Sequence, residues 1–298
     1  MRVVYSPAYR LNLGTHVFPT QKYQAVAAAL LERGIVGPDA FVAPEPCPWP
    51  DLALVHTPGY LSAVAHGSLT AEDVLRLEIP ASPDVVEGFR LMTGGTVLAT
   101  RLALAGEALA VVHIGGGFHH AFADHGEGFC LFNDVAVSLR VAFRERWATT
   151  AAVIDLDVHH GNGTAAILGG DRRVFTLSLH EHDNYPAVKP PGSLDIGLPT
   201  GTGDDAYLQA LEPALARMLE HLPDVAIFLA GADPYRDDQL GGLALTAPGL
   251  RRRDQLVLAM LRAAGVPVVV VLAGGYAKRF EDTVAIHVAT IEEAVLMG

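Results

Sequence analysis

The stretch Val153-Ile154-Asp155-Leu156-Asp157-Val158-His159-His160-Gly161-Asn162-Gly163-Thr164-Ala165-Ala166 places aspartates, histidines and a glycine turn directly behind an apolar, β-branched run. Side chains on a strand alternate faces, so the spacing predicts Asp155, Asp157 and His159 pointing the same way, roughly 6–7 Å apart. Carboxylates and an imidazole crowded on one face are costly, and the apolar lead-in implies burial, where charges need partners. A divalent cation is a natural partner, because oxygen and nitrogen ligands of this kind suit zinc or iron. The plainer alternative is a solvated loop with incidental histidines.

Asp233, after the apolar run 225–230, makes a third protein ligand with Asp157 and His159. Catalytic metal sites typically use three, leaving a position for water or substrate. Such a metal polarises a carbonyl and acidifies water, and that water needs a base beside it. His119 and His120 follow Gly115-Gly116-Gly117-Phe118, a loop whose glycines permit close approach. One histidine could take the water's proton and the other protonate a leaving amine; a structural role or a second metal are the alternatives. Tyr276, after Gly274-Gly275, could donate its hydroxyl to a developing oxyanion. Alone, it reads first as a half-buried aromatic with its hydroxyl in water; Gly-Gly-Tyr at a strand end beside a metal site turns the reading to the donor.

Positioning these groups requires regular elements. Strand-like runs lie near 3–5, 52–55, 109–114, 151–156, 174–179, 225–230 and 268–272. Most are continuous rather than alternating, as expected of parallel strands covered on both faces. Helical patterns occupy 21–33, 83–105, 134–146, 204–222, 248–264 and 280–297. The alternation predicts an α/β fold in three layers, a central, mainly parallel sheet with helices on both faces. The proline-rich stretch 38–50 reads as a loop, Arg251-Arg252-Arg253 as a solvated helix face, and residues 1–298 as a single domain. Ligands of open α/β sheets bind at the carboxyl ends of strands. Five strand ends here carry glycines or titratable groups: 115–120, 157–162, 180–185, 231–233 and 274–276.

Half the chain is hydrophobic and the mean hydropathy is +0.29, which suits a large core. No apolar run reaches the ~18 residues of a membrane span. The N-terminus reads as a first strand and lacks the apolar core of a secretory signal. Cys47 and Cys130 make neither a disulfide framework nor a Cys-x-x-Cys site, which fits a cytoplasmic protein. Cys130 reads as a redox-sensitive thiol or, more commonly for such a cysteine, a small buried filler. The net charge of −12 argues against nucleic-acid partners and is compatible with a cationic substrate.

These residues resemble the histone deacetylase superfamily, metal-dependent amidohydrolases of the arginase-deacetylase fold, and within it the class IV branch most. The matching motifs run in family order over most of the chain: His56-Thr57-Pro58-Gly59-Tyr60-Leu61, Gly115 to His120, Gly128-Phe129-Cys130-Leu131-Phe132-Asn133-Asp134, Asp155 to Gly163, Ala230 to Asp233, Leu240-Gly241-Gly242-Leu243-Ala244-Leu245-Thr246 and Gly274 to Tyr276. The triple glycine before His119, Asn162 and the stretch Leu219 to Asp224 carry the class IV likeness. The resemblance implies Zn2+, or Fe2+ in some settings, on Asp157, His159 and Asp233. It pairs His119 with Asp155 and His120 with Asn162, and assigns Tyr276 to the scissile carbonyl. Gly128 and Phe129 would line an acyl-lysine tunnel, with Tyr185 and Leu240 as wall candidates. A structural K+ would sit on the main chain of Asp155, Asp157, His159 and Leu179 with Ser178 Oγ.

Two departures from the family matter. Most relatives have aspartate where this chain has Asn162, and an amide can orient His120 without stabilising an imidazolium as a carboxylate does. His120 is therefore expected to be the neutral base and His119, beside Asp155, the more basic ring. Long lid insertions are not evident, so the mouth is expected to be open; Glu181 and Asp183 are candidates for a cationic substrate or, alternatively, solvated loop acids. The expected activity is removal of acetyl or longer acyl groups from lysine side chains or related amines. The alternatives are a two-metal ureohydrolase, disfavoured because Tyr235 stands where a second carboxylate is needed, and a non-catalytic acyl-lysine-binding protein.

Overall fold

Four consecutive valines, Val268–Val271, form a strand with every side chain buried. Such a strand needs apolar cover on both faces, and the rest of the chain supplies it. The computed structural model describes residues 1–297. Its strands are β1 (Arg2–Val4), β2 (Phe41–Val42), β3 (Ala110–His113), β4 (Ala151–Asp155), β5 (Val174–Glu181), β6 (Leu194–Leu198), β7 (Ala226–Leu229) and β8 (Val268–Val271). They form one sheet in the order β2-β1-β3-β8-β7-β4-β5-β6, with every pairing parallel.

The helices are α1 (Gln21–Glu32), α2 (Trp49–Leu52), α3 (Pro58–Ala65), α4 (Ala71–Leu77), α5 (Pro83–Leu104), α6 (Asp134–Arg144), α7 (Asn162–Leu168), α8 (Asp204–Leu219), α9 (Ala247–Ala264) and α10 (Phe280–Val295). Alternation along β8 shows the three layers. Val269 and Val271 pack with Ala99 and Leu102 of α5 and Val135 and Leu139 of α6. Val268 and Val270 pack with Leu211 and Leu215 of α8, Val257 and Leu261 of α9 and Ile291 of α10. Helix starts follow local chemistry: Ser82 Oγ accepts from Val85 N ahead of Pro83, and Thr246 Oγ1 accepts from Gly249 N. No helix among the described residues is long and apolar enough to cross a membrane.

Several expectations are corrected. Residues 52–55 are not a strand: they finish α2 and a turn, because a four-residue apolar run behind Pro48 and Pro50 fits a helical turn as well as a strand. The first edge strand is β2, inside the stretch read as loop. Strand β6, at the other edge, leaves no apolar run in the sequence because it is half exposed and carries Asp195 and Gly197. The short helices α3, α4 and α7 are additions to the expected set. Arg251-Arg252-Arg253 is not a uniformly solvated face, since Arg253 is fully buried.

Sheet order explains what the site can contain. Strands β3, β8, β7 and β4 are neighbours, so the loops after their carboxyl ends meet. Those loops carry His119 and His120, Tyr276, Asp233, and Asp157 with His159.

Candidate active site

Asp157, His159 and Asp233 converge, each offering one ligand atom, with these atoms all within 4.8 Å of one another. The convergence does not come from strand alternation, because β4 ends at Asp155. Beyond it, side chains cap the backbone: Asp155 Oδ1 accepts from Asp157 N at 3.3 Å and Asp157 Oδ1 from His159 N at 2.9 Å. This folds Asp157 and His159 inward and turns Asp155 toward His119. The other carboxylate oxygens are held by the main chain, Asp157 Oδ2 by Gly274 N at 2.9 Å and Asp233 Oδ1 by Val158 N at 2.9 Å. A Cβ at Gly274 would stand 1.9 Å from Asp233 Oδ2, so only glycine lets this backbone reach the cluster.

The cluster suits a cation. Asp233 Oδ2 is buried and has no hydrogen-bond partner, a costly arrangement in a core unless something positive meets it. Burial, and then the charge of Asp157, push the Asp233 carboxyl up to about 7. Burial opposes a charge on His159, yet Asp157 and Asp233 raise it to about 10. Two buried carboxylates and one imidazole, with remaining oxygens fixed by main-chain N–H groups, are a donor set that fits a divalent transition metal.

His119 and His120 sit beside this cluster. Their loop is held by Asp134, at the start of α6, whose carboxylate accepts from Gly117 N at 3.0 Å and Phe118 N at 2.7 Å. Gly117 lies at φ +86°, and a Cβ there would come within 2.8 Å of Ala273, so the loop needs glycine at this point. His119 Nδ1 lies 2.7 Å from Asp155 Oδ2, and His120 Nδ1 lies 2.7 Å from Asn162 Oδ1. Burial would lower His119, but Asp155 and Asp157 raise it to about 9. Burial and then the neighbouring His119 and His159 charges drive His120 well below the ordinary range.

A cleft opens onto these groups, lined among others by Phe18, Glu78, Gly128, Phe129, Tyr185, Leu240 and Tyr276. The candidate wall residues Gly128, Phe129, Tyr185 and Leu240 therefore border the same space. Phe18 and Phe129 rings stack 6.2 Å apart, and Tyr276 meets Phe129 edge-on at 6.0 Å. Asp238 Oδ2 accepts from Tyr276 N at 2.7 Å, while its other oxygen accepts from Leu240 N and Gly241 N, so one carboxylate sets both Tyr276 and the Leu240 wall. Burial raises the Tyr276 hydroxyl well above its usual range, leaving it a donor. Ser178 stands opposite Asp155 in the β4–β5 register, and its Oγ meets His180 Nδ1 at 3.0 Å. Leu179 is buried on the same strand.

Some candidates lie elsewhere. Glu181 is buried and accepts from Gly242 N, Asn184 Nδ2 and Thr200 Oγ1, so it holds loops rather than substrate. Asp183 is exposed and pairs with His182 outside the cleft. Cys130 is buried with its thiol pushed well up, which matches the filler role rather than a reactive thiolate. Two buried cations also hold the site. Lys22 is fully buried, donates to Ala273 O at 2.7 Å and lies 5.8 Å from the Tyr276 ring; burial lowers it to about 8. Arg253 donates to Gly231 O at 2.7 Å and Leu156 O at 3.3 Å, the carbonyls just ahead of Asp233 and Asp157. Nothing local in the sequence distinguishes either from a surface cation. Glu78, at φ +64°, is exposed and among the residues lining the cleft.

Comparison with known proteins places this geometry. Residues 16–291 match the histone deacetylase domain. An uncharacterized protein of Picosynechococcus sp. is 41% identical over 290 residues, covering 96% of this chain and 95% of that one. Histone deacetylase 2 of Arabidopsis thaliana is 31% identical over 297 residues, covering 95% of this chain and 76% of that protein. The crystal structure of the HDA15 HD domain superposes with a TM-score of 0.80 at 25% identity, covering 97% of this chain and 87% of that one.

Proposed function

The chain belongs to the histone deacetylase family, and from that premise we propose that it is a metal-dependent amidohydrolase removing acyl groups from lysine side chains or related amines. The observation that carries this reading is the unequal backing of two adjacent histidines beside a three-ligand cluster at the base of an apolar cleft. A divalent cation on Asp157, His159 and Asp233, zinc or iron by its donors, would supply carbonyl polarisation and an acidified water.

The chain's own residues divide the remaining work. Phe18, Phe129 and Leu240 exclude water and guide an acyl-amine stem to the cleft base, with Gly128 giving close approach and Tyr185 closing the opposite wall. His120, neutral at Nε2, takes the proton of the attacking water. His119, charged beside Asp155, delivers a proton to the departing amine nitrogen. Tyr276 donates its hydroxyl to the oxygen that gains charge as the carbonyl becomes tetrahedral. Asn162 and Asp155 orient the two rings. By family resemblance a structural K+ would sit on the carbonyls of Asp155, Asp157, His159 and Leu179 with Ser178 Oγ; Ser178 stands opposite Asp155 in the β4–β5 register.

Product release from zinc-loaded protein tests this reading on a panel of acetyl-lysine peptide, myristoyl-lysine peptide and acetylspermidine, each with a chelator control. Chelator-sensitive turnover of any member supports the hydrolase, and the preferred member gives the substrate class. No turnover by protein carrying one tightly bound metal per chain would move the reading to a binding protein for acylated amines.

A further inference from the structure

Asn162 is not the end of the chain of contacts that begins at His120. Its Nδ2 donates to Glu127 Oε1 at 2.6 Å, and the Tyr185 hydroxyl donates to the same oxygen at 2.9 Å. His125 Nε2 lies 3.4 Å from Glu127 Oε2. Glu127 is held in a tight turn, with Glu127 N and Cys130 N each bonded to the other's carbonyl, so its side chain has a fixed origin. Asn162 is 2% exposed.

An amide beside a histidine is ambiguous: flipped, it presents NH2 rather than oxygen to the ring and selects the other tautomer. A carboxylate in that place has no such freedom, because it only accepts. The ionised carboxylate of Glu127 transfers this property one residue outward. Since Glu127 can only accept, Asn162 must turn NH2 toward it and Oδ1 toward His120. His120 must then carry its hydrogen on Nδ1, leaving the Nε2 lone pair for the cleft. Drawing charge through the amide also makes Oδ1 a stronger acceptor. Burial would raise Glu127, but its bonds from His125, Asn162 and Tyr185 hold it below the ordinary carboxylate range.

We propose that Glu127 is the positioning carboxylate of the His120–Asn162 pair, fixing the amide's orientation and through it the tautomer in which His120 acts as base. The inference rests on the proposed amide hydrolysis for its kinetic consequence, but not for the tautomer itself. The competing view is that Glu127 merely tethers Tyr185 in the cleft wall.

The test compares zinc-loaded wild type with Glu127→Gln, Asn162→Asp, the double variant and Tyr185→Phe. Glu127→Gln removes the charge and lets the amide flip, so kcat falls on the order of 10-fold with KM little changed, the scale at which outer partners of an active-site ring act. Asn162→Asp sets two carboxylates against each other and falls further. Glu127→Gln with Asn162→Asp puts the carboxylate next to His120 and an amide behind it, and kcat recovers above both single variants. A double variant no better than the worse single one overturns the proposal, as does a Tyr185→Phe kcat loss equal to that of Glu127→Gln. Independently of turnover, 15N spectra of the labelled imidazoles should show His120 as the Nδ1–H tautomer in wild type and mixed in Glu127→Gln; an Nε2–H ring in wild type overturns the proposal. Should wild type turn over no substrate, the hydrolase reading fails while the tautomer measurement still decides this one.

Discussion

The imidazole of His119 lies 4.1 Å, centroid to centroid, from that of His120, yet the two rings are driven in opposite directions. Burial disfavours charge on both. Asp155 and Asp157 overcome it at His119, whereas His120 has an amide beside it and the charged His119 as a neighbour. One charged ring and one neutral ring at neutral pH is the pairing an acid and a base need.

A raised histidine keeps its charged form below its folded pKa and loses it above. Asp155 holds His119 above the ordinary histidine range, so activity that needs its proton should fall on the basic side of that range. Asp155→Asn removes the nearest charge and should move this basic limb to lower pH by a unit or more. The pH profile of kcat/KM checks it, and an unmoved limb in Asp155→Asn would remove His119 from the acid role. His120→Ala should lose most activity at every pH.

Metal uptake should strengthen with pH. Ligands must lose protons to bind, and in the metal-free protein His159 holds its proton up to about 10 and Asp233 up to about 7. Protons compete with the ion throughout the neutral range, so zinc affinity measured by chelator competition should rise steadily from about pH 6.5 to about pH 8.5. Ligand binding to the folded state also raises stability by mass action, so the zinc-induced gain in Tm should grow in parallel. Asp233→Asn should bind zinc far more weakly and lose the pH dependence contributed by that carboxyl. An affinity independent of pH would exclude His159 as a ligand.

Glu78 makes the substrate question measurable. It is exposed, lines the cleft and forms no ion pair among the described residues. An exposed carboxylate interacts weakly with a cation, so Glu78→Gln should raise KM for acetylspermidine only a few-fold and leave a neutral acyl-lysine amide unaffected. High salt should erase the difference, because exposed charges are screened. An equal KM change for both substrates would mean that Glu78 shapes the rim rather than reading charge.

How much the sequence reveals depends on how local each cause is. Val268–Val271 and Ala151–Asp155 are legible because a central parallel strand must be apolar throughout. β6 is not, because an edge strand obeys no such demand. The convergence of Asp157, His159 and Asp233 beside the histidine pair is legible because few uses exist for such groups at strand ends. Glu181 misleads because a buried carboxylate serving three donors has the same letter as a free one. Lys22 meets Ala273, Asn162 meets Glu127 and Arg253 meets Leu156 across long separations, and their roles exist only once the sheet order brings them together.

Arg253 joins stability to the Asp157–His159–Asp233 cluster. It is fully buried, paired with Asp254 at 2.8 Å, and Asp254 also accepts from Thr290 Oγ1 at 2.6 Å. Its Nη1 holds the carbonyls of Gly231 and Leu156, next to the loops that carry Asp233 and Asp157. Arg253→Leu leaves Asp254 as a buried charge without its cation, a loss of about 3–5 kcal/mol in other buried pairs. Removing both charges, as Arg253→Leu with Asp254→Leu, should recover much of that stability, since paired deletion spares the desolvation cost. It cannot restore the carbonyl contacts, so zinc affinity should stay low while the denaturation midpoint returns. Denaturant unfolding beside zinc titration separates the two effects: affinity that recovers together with stability would show that Arg253 supports the core alone and does not position the ligand loops.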